Sequence, residues 1–121
     1  MSAPDQDSIR LALHRMLAGP APVTALFFGN NRISVAAVRE LRALAGTHEL
    51  GRGPAFAGFD DFELADMLSP GVTVVAQDVV RLGRVAAQLL FRRLAGDRGP
   101  AERIEIATQL IERGSGEIPP S

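Results

Sequence analysis

Three short apolar runs in this sequence each end on amide or carboxylate side chains. Val23–Phe28 is followed by Asn30-Asn31, Ala55–Phe59 by Asp60-Asp61, and Val72–Ala76 by Gln77-Asp78. Arg32 stands directly after the first pair. An ionised aspartate accepts hydrogen bonds from two adjacent hydroxyls at once, while asparagine and glutamine each donate and accept. Grouped around a crevice, such side chains suit a neutral, hydroxyl-rich small molecule, fixing both its orientation and its stereochemistry. The same residue types have a second use, because Asn and Asp after a strand also cap the helix that follows. On that count Asn31 caps one helix and Asp61 another. Asn30 and Asp60, each one position nearer the strand tip, are then the ligand candidates.

Other chemistry finds little support. A carboxylate pair for acid–base work could be drawn at Asp60 and Asp78, but nothing specifies the separation it needs, and no histidine lies at a strand end to act as base. His14 falls in a helical stretch and His48 in a loop, and neither has a second histidine four residues on, so no metal site is expected. The chain has no cysteine and no lysine, which excludes thiol chemistry, Schiff bases and a phosphate-binding P-loop. Gly51-Arg52-Gly53 is too short to cradle phosphate and reads as a turn. No catalytic residue and no cofactor is expected. With 13 basic and 14 acidic residues the charge is balanced, so the footprint of a free-standing nucleic-acid binder is missing. No apolar run reaches the roughly 20 residues of a membrane span, and the first residues do not resemble a signal peptide, so the chain reads as soluble and cytoplasmic.

The elements that must position these residues follow from periodicity. At 121 residues there is room for one sizeable core. Residues 1–7 read as a flexible leader. A helix then starts behind Asp7 or Ser8, with Ile9, Leu13, Met16 and Leu17 on one face, and stops at Gly19-Pro20. Val23–Phe28 has the continuous apolar character of a strand buried on both faces. A second helix runs from about Arg32 to Ala45, burying Val38, Leu41, Leu44 and Ala45, with Gly46 ending it. Ala55–Phe59 is a second buried strand, Phe62–Leu68 a helical turn or two, and Val72–Ala76 a third strand. The longest helix, Asp78–Leu94, carries a narrow polar stripe of Arg81, Arg84, Gln88 and Arg92, so its wide apolar surface implies burial on two sides. Glu102–Ile111 alternates with period two, as a strand with one face in the core does. Residues 114–121 read as a flexible tail. Helices alternating with buried strands define an α/β class: a parallel sheet flanked by helices, with ligands taken at the carboxyl ends of its strands.

The segments VTALFFGNNRISVAAVREL, FAGFDDFELADMLSPGVTVVAQD and IATQLIERGS, in that order, resemble the C-terminal part of the effector-binding domain of LacI/GalR-family transcriptional repressors. The resemblance runs from about Val23 to Ser115. It implies a partial periplasmic-binding-protein-like (type I) fold that senses a small effector, a sugar or nucleobase, and has no enzymatic activity. It places Asn30, Asp60 and Gln77 at effector-binding positions. Arg32 occupies a place more often neutral, which admits an acidic or phosphorylated effector such as a sugar phosphate, and Val79 one where some members carry an aromatic ring. It divides the chain into a subdomain portion over 8–76 and a crossover segment over 77–113. It also sets a helix-turn-helix headpiece and most of a first subdomain before Met1, so that DNA is reached only through that headpiece. The apolar face of the long helix then lacks a cover, and a homodimer built on Leu82, Val85, Leu89 and Leu90 is expected. The alternative is a small enzyme or a structural oligomer on a similar scaffold.

Overall fold

A computed structural model of the chain describes residues 4–46 and 52–120. They divide into two compact units, one of residues 1–76 and 110–121 and the other of residues 77–109.

The first unit is built on a sheet of order β1-β2-β3-β4, with β1 at Ala25–Phe28, β2 at Ala55–Phe59, β3 at Thr73–Ala76 and β4 at Gln109–Ile111. β1, β2 and β3 run parallel, but β1 is not buried on both faces as its apolar run suggests, since Phe27 is 63% exposed. Between β1 and β2 the chain crosses over through helix α2, Asn31–Ala45. Helix α1, Gln6–Leu17, packs on α2, and Leu13, Phe28, Val38, Leu41, Phe56 and Val74 form the centre of the buried core. Each such side chain contributes roughly 1.5–3 kcal/mol on leaving water. The rings of Phe28 and Phe56 meet across β1 and β2 with centroids 6.2 Å apart.

Gly58 lets the helix layer come close to the sheet. A Cβ at this position would collide with Oγ of Ser34, a fully buried residue of α2. Gly58→Ala is therefore expected to lower stability by roughly 1–3 kcal/mol through overpacking, read as a reduced urea midpoint at unchanged m-value.

Several expectations are corrected. The leader is ordered from Asp5, whose side chain caps α1 at Ser8 N (2.8 Å), and the Gln6 amide donates to Ala36 C=O (3.0 Å) and Glu40 Oε1 (2.8 Å). Met16 and Leu44, assigned to core faces, are 46% and 44% exposed. No helix forms at 62–68, which is a run of turns. The segment after Gly114 is not a frayed tail: Gly71 and Gly114 form a bridge, Ser115 is fully buried, and Ile118 packs against the core. Polarity hid this, since the burial is secured by hydrogen bonds rather than by an apolar pattern. His48 and Gly51 lie outside the described residues.

The second unit consists of helix α3, Val79–Leu94, and the stretch that follows it. Asp78 caps α3 by accepting from Arg81 N (2.9 Å). Arg92 reaches Glu102 at 3.2 Å, and Asp97 accepts from Gly99 N (2.9 Å). The strand expected over Glu102–Ile111 is confined to Gln109–Ile111. Alternation along 102–108 is genuine, but a strand persists only where its backbone finds a ladder partner. Arg103 and Glu105 there are exposed and pair with each other at 3.5 Å.

Candidate functional site

The parallel register decides where the polar residues after the strands go. Phe28 of β1 pairs with Gly58 of β2, so Asn30 and Asp60, each two positions further on, leave the sheet at the same edge of adjacent strands. Neighbouring strands lie about 4.8 Å apart. Asn30 is extended (φ −160°, ψ 170°), and its side-chain oxygen accepts from Ile33 N at 2.9 Å. The cap of α2 is thus Asn30 and not Asn31, which already has helical backbone as the first residue of α2. Capping also fixes the Asn30 side chain, since its carbonyl oxygen is oriented by the helix it starts.

Asp60 takes a left-handed backbone (φ 74°) while its N–H remains in the sheet, donating to Val75 C=O at 2.9 Å. Among residues with a side chain, Asp and Asn enter this region most readily, which fits an aspartate at the turn out of β2. Asp61 caps no helix. Its carboxylate accepts from Phe62 N (2.9 Å) and from both terminal nitrogens of Arg113, at 2.7 and 2.8 Å. Gln77 directly follows β3 and opens the second unit, its carbonyl accepting from Val79 N (3.1 Å).

The start of α2 and the turn after Asp61 enclose an open cleft of about 420 Å³ lined by Asn31, Arg32, Val35, Phe62 and Glu63, with neither Asn30 nor Asp60 in its lining. The first turn of α2 holds no acidic residue, so Arg32 adds its charge to the positive end of the helix dipole, and Glu63 supplies the opposing charge across the cleft. Among the described residues Arg32 makes no ion pair. Phe62, absent from the sequence-based candidates, lines the cleft while packing partly against the core. Its signal was available in the aromatic residue directly after the Asp-Asp turn. No group of three histidine or acidic side chains able to hold a metal occurs among the described residues, and no helix there is long and apolar enough to cross a membrane.

The Arg113 guanidinium holds the Asp61 carboxyl below its ordinary range, chiefly through the paired hydrogen bonds. A lowered folded-state value means that the pair's contribution is complete above the unfolded value, about 3.9, and is lost as pH falls through the folded one. Below about pH 4 the wild type is therefore expected to lose stability more steeply than Asp61→Asn, a difference visible in urea midpoints taken across the acid range.

Residues 2–116 match the periplasmic binding protein-like domain, and the chain belongs to that family, among the effector-binding domains of LacI-type regulators. It is 37% identical over 100 residues to the HTH-type transcriptional regulator PtxS of Pseudomonas aeruginosa, covering 81% of this chain and 28% of PtxS. It superimposes on the transcriptional regulator CelR–cellobiose complex with a TM-score of 0.71 at 30% identity, over 92% of this chain and 33% of CelR. A LacI-family transcriptional regulator from Enterococcus faecalis with bound ribose gives a TM-score of 0.75 at 29% identity, over 91% of this chain and 40% of that one. The chain spans about a third of the length of the curated relatives it matches.

Proposed function

We propose that the chain is the effector-sensing part of a LacI-type transcriptional regulator of the cytoplasm, binding a sugar or related small molecule and so modulating DNA binding by a helix-turn-helix headpiece of the same regulator. The function is recognition, not catalysis. The observation that carries this reading is the in-register exit of Asn30 and Asp60 at one edge of adjacent parallel strands. Asp60 takes a pair of ring hydroxyls and Asn30 donates through its amide. Arg32 and the α2 dipole extend the range to sugar phosphates and other acidic sugars. A nucleobase is a further candidate, stacked on Phe62.

A thermal-shift panel of ribose, cellobiose, lactose, sugar phosphates, sugar acids and nucleobases tests the reading. A true effector at a hundred times its Kd adds about 2.7 kcal/mol of stability, enough for a rise of several degrees. No rise with any member of the panel at millimolar concentration would contradict it.

The homodimer belongs to the same proposal. α3 contains no buried residue, and Leu82 and Leu90 on it are 40% and 57% exposed, with Val85 and Leu89 half-buried. An apolar helix face of this width is covered in a stable assembly, and about 800 Å² per partner suffices for a specific interface. Sedimentation at micromolar concentration is expected to give twice the chain mass, and Leu82→Glu with Leu90→Glu to return it to a monomer.

A further inference from the structure

Asp60 is held in a conformation that a side-chain-bearing residue rarely adopts, and the residue after it is pinned from a distant part of the chain. Arg113 grips both Asp61 carboxylate oxygens in a fork, at 2.7 and 2.8 Å. The arginine cannot simply follow Asp61, because it is itself tied down. Its Nη1 donates to Val72 C=O (3.2 Å) and its backbone N–H to Thr73 Oγ1 (3.1 Å). The residues after it are laced to the same strand. Thr73 N donates to Ser115 Oγ (2.8 Å), and Gly116 N donates to Thr73 Oγ1 (3.1 Å). Asp60 is thus clamped from both sides, by its own N–H on Val75 and by the fixed carboxylate of Asp61. A planar guanidinium makes two parallel hydrogen bonds and so fixes direction as well as distance, which a lysine ammonium cannot do.

We infer that Arg113 is a positioning residue of the effector site, holding the Asp60 carboxylate at the edge of β2 through Asp61 without touching the effector. The inference rests on the effector reading above for its consequence, and on backbone geometry for its cause. Arg113 is bonded to Asp61, the neighbour of Asp60, so its effect on binding passes through the turn. If only a tenth of molecules keep the turn in place, apparent affinity falls about tenfold.

The test uses the 121-residue chain and the variants Arg113→Gln, Arg113→Lys and Asp61→Asn. Asp61→Asn retains an acceptor for Phe62 N–H and one bond to Arg113, which guards against loss of the fold. Nuclear magnetic resonance reads the HN–Hα coupling and carbon shifts of Asp60, which report its φ, together with the β1–β2 amides, which report the sheet. Expected is a displaced Asp60 signal on an intact sheet in Arg113→Gln and Asp61→Asn, no further displacement when these two are combined, and no rescue by Arg113→Lys. An unmoved Asp60 in folded Asp61→Asn overturns the inference. Calorimetric titration with ribose and with cellobiose supplies the second arm. Wild type binding one of them and Asp61→Asn binding it about tenfold or more weaker supports the inference. Equal affinity in the two overturns it. Wild type binding neither rules out ribose and cellobiose as effectors, and the positioning of Asp60 is then decided by the coupling.

Discussion

Ser115→Ala is expected to destabilise the protein by roughly 2–6 kcal/mol, the cost of leaving two buried backbone groups without partners at about 1–3 kcal/mol each. The Ser115 hydroxyl accepts from Thr73 N at 2.8 Å and donates to Phe56 C=O at 2.6 Å, in a position with no solvent access. Neither group can turn to water, and alanine offers no donor or acceptor in exchange. The loss is read from urea unfolding followed by circular dichroism, with Ser69→Ala as a control. Ser69 is exposed, and its replacement should stay within about 0.5 kcal/mol. A Ser115→Ala protein within about 1 kcal/mol of wild type would show that water or a backbone shift satisfies the two groups.

The second large effect is on binding. Asp60→Asn is expected to weaken the effector by roughly 10- to 100-fold, matching the 1.5–3 kcal/mol of a charge-assisted hydrogen bond, while folding and DNA binding by the intact regulator survive. Asparagine is chosen because it tolerates the left-handed backbone of Asp60 (φ 74°), whereas alanine would add strain and confuse the two causes. Direct titration of whichever ligand the thermal-shift panel identifies measures the change. Unchanged affinity would remove Asp60 from the site.

These two residues differ in how openly the sequence announced them. Asp60 was accessible because a parallel α/β sheet places its ligand residues just after its strands, and the Ala55–Phe59 run ends there. Ser115 was hidden in a polar, glycine- and proline-bearing segment with the composition of a loop. Composition reports how much apolar surface a segment offers, and Ser115 is buried by hydrogen bonding instead. The caps show an intermediate case. Consecutive asparagines are nearly equivalent by type, and a shift of one residue in where the helix starts made Asn30, not Asn31, the cap.

The sequence by itself determined the strands and helices whose apolar patterns are continuous, from Ala25–Phe28 through Val79–Leu94, because side-chain period and burial are local properties of a chain. It also placed amides and carboxylates at the strand ends. Only the tertiary structure decided which of these groups lie on adjacent strand ends. The register of β1 against β2 set Asn30 beside Asp60. Arg113 met Asp61 across 52 residues, at the end of a segment whose alternation had promised a longer strand. A hydrogen-bond partner that distant leaves no periodic mark on the chain, since neither residue's neighbours need to record that the two will meet.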